Sequence, residues 1–373
     1  MKYILLLLLF GVSMCQLTAQ TTVTDSLLFG GVQHHYRVYI PASRKCSMII
    51  HLHGYASNAT IEQTFTNYMP IADTAGFLVA YPDGLKDSTG NEYWNVGWSF
   101  LPNTDDVGYL NALIDTLCNK YLVDPTCVFV SGFSNGGFMA HKLACELGNK
   151  VAAIASVSGG MTTAEYTSCT PTNPVPVLEI HGTSDLTIPY TGASGSSNSE
   201  DIDSVMAKCV SLDVCNPIPT HDTLAHNSAT TNGTTVDHYV WTGGTGGSTC
   251  ELYKINSGGH VEWPGTGTGA NNDFNASLEI WKFFSSYRTS NCTGLIVSNV
   301  QNNTVLGFYP NPCTNTVNVK CSGSFTLSVS DVTGKLLLQS QSKKMDVSSL
   351  RQGVYLIQIT TNTGTYVQKL LKE

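Results

Sequence analysis

The chain has 373 residues, more than the roughly 100–200 of one ordinary domain, so two folded units are expected. Only 12% of its residues are charged and the net charge is −8, which argues against nucleic acid and anionic membranes as partners. No Cys/His spacing reads as a zinc site, and no glycine-rich loop reads as a phosphate cradle.

Residues 1–19 have the pattern of a secretory signal: Met1-Lys2, the apolar run Tyr3–Val12, then a polar stretch ending at Ala19, after which cleavage is expected. The run is too short to span a membrane, which takes about 20 apolar residues. A lipoprotein signal acylated at Cys15 is the weaker reading, because Met14 is bulky. Export makes disulfide pairing the default for the cysteines that follow. Eleven remain after Ala19, so at least one thiol stays unpaired. Cys215 with Cys250 is the favoured bridge, closing a long polar excursion, and Cys313 with Cys321 is a second.

Strand signals, short β-branched or apolar runs, lie at Tyr36–Ile40, Met48–Leu52, Phe77–Tyr81, Cys127–Ser131, Val151–Val157, Val177–Ile180 and Glu251–Ile255. Helical patterns lie between and after them, at Gly108–Tyr121, Gly136–Leu147 and Asn275–Tyr287. Uninterrupted apolar strands alternating with helices predict an α/β fold, a largely parallel sheet covered on both faces. Reactive residues then belong on loops at the carboxyl ends of the strands.

The composition changes near residue 305. Residues 20–305 carry 11 Lys/Arg against 24 Asp/Glu, and residues 306–373 carry 7 against 3; all ten histidines precede the break. The expected organisation is an α/β domain over 20–290, a polar linker over 291–305 and a small all-β sandwich over 306–373, where short alternating strands meet turn signals.

The strand Cys127–Ser131 runs into Gly132-Phe133-Ser134-Asn135-Gly136-Gly137, after which a helix begins. This is G-x-S-x-G between a buried strand and a helix, the setting of a nucleophile elbow. The serine sits on a strained turn whose flanks must be glycine, and the following helix directs its dipole and free amides at developing negative charge. No other serine in the chain has glycine at both −2 and +2. A serine hydroxyl needs a base, and the base needs a carboxylate to orient it; in this fold the chain order is Ser, Asp or Glu, His. Asp185 follows the strand Val177–Ile180, and His260 follows Glu251–Ile255, so both stand at the same sheet edge as Ser134. Of the competing histidines, His34 and His35 precede the sheet, His221, His226 and His238 lie in the polar excursion and His141 sits inside a helix, while His181 reads as a structural residue of the strand-end loop.

An oxyanion needs two donors. The N–H of Asn135 is one candidate. The other comes from the loop after Met48–Leu52, where His53-Gly54-Tyr55 lets the backbone approach and the Tyr55 N–H donate. Asp106 is expected to cap the helix that starts near Gly108.

His53-Gly54, Tyr81-Pro82-Asp83-Gly84, Asp105-Asp106-Val107-Gly108, the elbow, His181-Gly182-Thr183-Ser184-Asp185 and Gly258-Gly259-His260 followed by Trp263-Pro264-Gly265 form an ordered set. It resembles the secreted feruloyl and acetylxylan esterases and the related polyhydroxybutyrate-depolymerase-like esterases. The resemblance covers about residues 25–290 and implies an α/β-hydrolase with Ser134, Asp185 and His260 as its triad. Val261 and Glu262 stand between His260 and Trp263, a wider spacing than expected there. Leu306-Gly307-Phe308-Tyr309-Pro310-Asn311-Pro312, Val329–Lys335, Leu350–Ile357 and the closing Lys369–Glu373 are similar to the C-terminal sorting domain of the type IX secretion system. A carbohydrate-binding module is disfavoured there, since this part has no Trp.

The expected activity is therefore that of a secreted serine carboxylesterase acting on feruloyl or acetyl esters of plant polysaccharides, with no metal or organic cofactor and with the type IX machinery as a partner. The alternatives are a polyester depolymerase using the same machinery and a glycan-binding surface protein with an inactive triad. Aromatic rings stack on sugars or on a feruloyl ring, so Trp263, with Trp98 and Trp94, is expected to line the substrate site.

Overall fold

The computed structural model describes residues 20–225, 233–264, 269–288, 307–309, 313–320, 324–331, 335–361 and 364–372. The expected signal at 1–19, the linker over 291–305, Gly265 and Cys321 lie outside the described residues. The chain divides into two compact units, Met1–Gly294 and Leu295–Glu373.

The first unit opens with strands β1 (Thr21–Phe29), β2 (Val32–Ile40) and β3 (Met48–Leu52), then helices α1 (Ala59–Phe65) and α2 (Tyr68–Ala75) and strand β4 (Leu78–Pro82). The short strands β5 (Leu85–Lys86) and β6 (Glu92–Tyr93) form a separate hairpin before α3 (Asp106–Tyr121). Then come β7 (Val128–Phe133), α4 (Asn135–Glu146), β8 (Ala153–Val157), α5 (Thr163–Ser168) and β9 (Val177–Gly182). The unit ends with α6 (Ile202–Leu212), β10 (Thr220–Thr223), β11 (Thr235–Trp241), β12 (Cys250–Asn256) and α7 (Ala276–Ser285).

The main sheet runs β1-β2-β4-β3-β7-β8-β9-β12-β11-β10. Its centre, from β4 to β12, is parallel, and antiparallel strands complete both edges. Every residue of β3, β4, β8 and β9 is buried, as a strand covered on both faces requires. Alternation along a strand divides the core in two. Ile50, Val128 and Val130 pack with Leu110 and Leu113 of α3 and Leu143 of α4, whereas Ile49 and Phe129 pack with Ala72 of α2 and Ile280 and Phe284 of α7. The expected α/β architecture is present. The edge strands β1, β10 and β11 and helices α1, α2, α5 and α6 add to the elements anticipated from sequence.

Local signals set the helix starts. Asn58, Thr162, Asp201 and Asn275 cap α1, α5, α6 and α7 through their side-chain oxygens. The cap of α3 is Asp105, which accepts from the Gly108 N–H at 2.9 Å. This corrects the expectation for Asp106, which is buried one position later and accepts instead from the Asn95 N–H at 2.7 Å and the Thr104 hydroxyl at 2.9 Å.

Cys145 of α4 is bonded to Cys169, which ends α5. Cys215 and Cys250 are buried free thiols, and the Cys215 thiol donates to the Ser248 carbonyl at 3.6 Å, so the favoured bridge is corrected.

The second unit holds two antiparallel sheets. One runs β13 (Gly307–Tyr309), β14 (Thr316–Lys320), β17 (Lys344–Asp346). The other runs β16 (Leu336–Ser340), β15 (Phe325–Ser330), β18 (Gly353–Thr361), β19 (Gly364–Lys372). Val317 and Val319 of the first sheet share one apolar core with Leu327, Val329, Ile357 and Ile359 of the second, the packing of a small sandwich.

Candidate active site

Ser134 stands between β7 and α4 with φ 53° and ψ −117°, a backbone conformation costly for any residue with a Cβ. The turn is closed by the Ser134 N–H, which donates to the Val157 carbonyl at 2.8 Å. The flanking glycines are a steric necessity. A Cβ on Gly132 would lie 2.3 Å from the Gly136 carbonyl oxygen, and one on Gly136 would lie 2.1 Å from the Leu52 carbonyl oxygen. Both contacts are impossible, so the spacing read from sequence follows from the packing of β7, α4 and the end of β3.

Two loops at the same sheet edge carry Asp185 and His260. The Thr183 N–H donates to the Ile255 carbonyl at 2.9 Å and the Ser184 N–H to the Gly258 carbonyl at 2.8 Å, which ties the loops together. Across that junction His260 Nδ1 lies 2.7 Å from Asp185 Oδ2. The other carboxylate oxygen, Oδ1, accepts from the Thr187 and Ile188 N–H groups, each at 2.8 Å. Asp185 is thus fixed by backbone donors on one side and faces the imidazole on the other. His260 packs against Phe133, with ring centroids 4.9 Å apart. Ser134 and His260 line one cavity of about 1130 Å³.

Behind Asp185 runs a buried chain of histidines alternating with carboxyl groups. His181 Nε2 lies 2.9 Å from the Ile188 carbonyl and 3.6 Å from Asp185 Oδ2, and its Nδ1 lies 3.3 Å from Glu179 Oε1. Glu179 Oε2 is 3.1 Å from His141 Nε2 of α4. Burial opposes the charged forms of both partners. Even so, the Glu179 carboxylate raises His181 above the ordinary histidine value, and hydrogen bonds from His141 and His181 hold Glu179 below the usual carboxylate range.

For the oxyanion, Asn135 opens α4, where first-turn amides have no partner within the helix. Its side chain is engaged elsewhere: Oδ1 accepts from the Trp94 N–H at 2.7 Å and Nδ2 donates to the Trp94 carbonyl at 3.1 Å. A Cβ on Gly54 would lie 3.5 Å from the Ser134 Cβ, so the Gly54-Tyr55 backbone passes beside the serine, and Tyr55 lines the cavity. His53 holds that loop. Its Nε2 accepts from the Gly84 N–H at 2.9 Å, which leaves Nδ1–H to donate to the Gly54 carbonyl at 2.8 Å. Burial lowers its affinity for a second proton, consistent with this neutral tautomer.

The three tryptophans divide. Trp98 lines the cavity, stacked on Phe100 at 5.6 Å. Trp94 and Trp263 are buried and do not line it, which corrects the expectation for both. Trp94 donates its indole N–H to the His53 carbonyl at 3.0 Å and so braces the loop beside Ser134. Trp263 packs into the core between the sheet and α7, with Phe274 6.4 Å away. In their place the wall includes Phe65, Phe100, Phe133 and Ile188, along with Glu62 and Glu262. Phe133 stood inside the elbow motif and Phe100 two residues past Trp98; Glu62 and Phe65 belong to α1, which no sequence signal had marked.

A serine on a strained strand–helix turn and a histidine–carboxylate pair stand at the C-terminal edge of a parallel sheet, in the architecture of the α/β-hydrolase fold. Residues 103–213 match the phospholipase/carboxylesterase family, and residues 307–373 match the secretion system C-terminal sorting domain. The chain thus has a first unit with a partial match to that family and a C-terminal segment that matches a secretion system sorting domain.

Among curated proteins it is similar to a bifunctional acetylxylan esterase/xylanase of Neocallimastix patriciarum, at 29% identity over 47% of this chain and 25% of that protein. It is also similar to feruloyl esterase B of Piromyces equi, at 28% identity over 58% of this chain and 40% of that protein. The chain thus spans well under half the length of these two relatives. An acetyl xylan esterase from Aspergillus awamori has the same fold, with a TM-score of 0.50 and 14% identity over 70% of this chain and 99% of that one. Among the described residues no helix is long and apolar enough to cross a membrane.

Proposed function

We propose that the protein is a secreted serine carboxylesterase that hydrolyses feruloyl or acetyl esters of plant cell-wall polysaccharides, delivered by the type IX machinery through its C-terminal unit. The observation that carries this reading is the meeting of the Ser134 elbow and the His260–Asp185 pair at one cavity. In this reading Ser134 Oγ attacks the ester carbonyl while His260 Nε2 takes its proton, and Asp185 keeps the imidazole in the tautomer that presents Nε2. The Asn135 and Tyr55 amides receive the oxyanion. His260 then returns the proton to the departing alcohol, and water, activated the same way, resolves the acyl-enzyme.

The cavity favours a bulky acyl group over acetyl alone. Its volume of about 1130 Å³ lies at the upper end for a drug-sized ligand, and its rim carries Phe65, 67% exposed, and Phe100, 50% exposed. Those exposed rings also favour a second reading, a polyester depolymerase, which needs apolar surface at the mouth.

Turnover of methyl ferulate, acetylated xylan and polyhydroxybutyrate separates the two. Ser134→Ala should abolish hydrolysis of all three and of short p-nitrophenyl esters while leaving the thermal transition in place; retained turnover would remove the mechanism. Labelling of the wild-type serine by a fluorophosphonate excludes an inactive glycan-binding protein.

A further inference from the structure

The cavity wall carries a carboxyl group that the proposed reaction leaves unused. Glu262 lies two residues past His260, in the widened spacing before Trp263, and its side chain is 13% exposed where it lines the cavity. Its Oε1 is 3.8 Å from His51 Nε2, beyond hydrogen-bond reach. Its Oε2 is buried and has no hydrogen-bond partner among the described residues.

The surroundings explain why Glu262 is left over. His51 Nδ1 lies 2.9 Å from Ser131 Oγ, which also accepts from the Tyr68 hydroxyl at 3.0 Å. The Ser131 proton is then directed to Nδ1, which leaves the ring N–H on Nε2. The nearer acceptor for it is Glu62 Oε2 at 3.4 Å, and Glu62 accepts from the Ser57 hydroxyl at 2.8 Å as well. Burial opposes the charge of Glu62, but these bonds hold its carboxyl below the usual range. Glu262 receives no such donor. Burial and the neighbouring Glu62 carboxylate push its proton affinity well above the ordinary value. A neutral carboxyl offers one O–H donor and one carbonyl acceptor, the complement of a hydroxyl group. Phe65, Phe133, Val261 and Pro264 in the same wall offer no side-chain hydrogen bond.

We propose that Glu262 is a specificity-determining residue whose carboxyl hydrogen-bonds a hydroxyl group of the bound ester. The proposal rests on the esterase reading and narrows it to hydroxyl-bearing esters. An apolar wall cannot distinguish such an ester strongly from its deoxy analogue, whereas a polar group left unpaired by the analogue can.

The test compares kcat/KM for paired esters, each corrected for its alkaline hydrolysis rate. Methyl 4-hydroxycinnamate against methyl cinnamate reads a hydroxyl on the acyl side. Monoacetylated methyl xyloside against cyclohexyl acetate reads one on the alcohol side. The wild-type enzyme should favour the hydroxyl ester about tenfold in one pair, the size expected of one neutral hydrogen bond. Glu262→Met and Glu262→Ala should bring that ratio close to one, and Glu262→Gln, which keeps a donor and an acceptor, should retain most of it. A wild-type enzyme indifferent in both pairs overturns the proposal, as does a preference that survives Glu262→Met or Glu262→Ala. Fluorophosphonate labelling of wild-type Ser134 reports separately on the esterase reading: without labelling that reading fails, and with labelling but no hydroxyl preference only the role of Glu262 fails.

Discussion

Removing the charge of His181 tests whether the buried chain behind Asp185 holds the candidate triad in its working state. His181→Leu takes away a ring that stands 3.3 Å from Glu179 and 3.6 Å from Asp185, all three side chains being fully buried. At an effective dielectric constant of about 20, opposite unit charges 3.6 Å apart attract by roughly 4–5 kcal/mol. Breaking a buried pair while one charge remains costs about 3–5 kcal/mol, a large share of the roughly 5–15 kcal/mol that keeps a domain folded. The sign follows from the two shifts. His181 is raised, so its contribution is complete below the ordinary histidine value and fades as pH climbs through the raised one. Glu179 is lowered, so its contribution is present above the ordinary glutamate value and fades as pH falls through the lowered one. The stability gap between wild type and variant in urea melts should therefore be widest at about pH 4.5–6.5 and narrow toward either extreme. Glu179→Gln/His181→Gln removes both charges and should be less destabilised than the two single changes added together, by about 2 kcal/mol. In kinetics, an imidazole that loses a neighbouring positive charge takes up a proton more readily, so the acid limb of kcat/KM in His181→Leu should move to higher pH. A variant with wild-type stability across that range and an unmoved acid limb would refute the reasoning.

Gly136→Ala places a methyl group 2.1 Å from the Leu52 carbonyl oxygen and 2.7 Å from that of His53, so the elbow and the Tyr55 loop must separate. Ester turnover is expected to fall more than a hundredfold or the protein to lose solubility, an effect of the size of losing an oxyanion donor; a soluble variant with wild-type turnover would contradict the packing account. Glu165 is buried with both carboxylate oxygens unpartnered among the described residues, and burial pushes its carboxyl up to about 8. It binds its proton more tightly in the folded state, so it costs stability progressively as pH rises from the ordinary glutamate value toward 8. Glu165→Gln should therefore stabilise the protein increasingly between pH 5 and 8, with roughly 5 kcal/mol as the upper bound. A stability difference that does not change with pH would rule this out.

What the sequence revealed about the site follows from how local each requirement is. The elbow was legible because two backbone carbonyls forbid a Cβ at its flanks, and that prohibition falls on residues at fixed spacing. Asp185 and His260 were legible because each follows the end of a sheet strand by a few residues. Trp94 misled because a loop aromatic can serve the loop itself: its indole N–H is satisfied by the His53 carbonyl, a partner no spacing rule names. The pairing of Cys145 with Cys169 depends on where α4 and α5 end, and α5 gave no periodic signal over its 6 residues. The edge strand β10 is exposed along its whole length, so it lacks the alternation by which a half-buried strand is recognised.

The same contrast bears on specificity. The residues proposed for bond breaking stand at the ends of central strands, where backbone sterics leave little freedom. Glu62 and Phe65 of α1, Phe100 in the loop after β6 and Glu262 lie on peripheral elements whose side chains answer to no such constraint. Loops and surface helices tolerate replacement while the sheet keeps the reacting groups in register. One set of strands can then serve acetyl, hydroxycinnamoyl or polyester substrates by exchanging a few wall residues, because fold and triad fix the reaction type and leave the substrate open. For this chain the described wall combines exposed aromatic rings with the carboxyl of Glu262, so its preference should be decided by the ring and the hydroxyl of the ester rather than by the carbonyl that every candidate substrate shares.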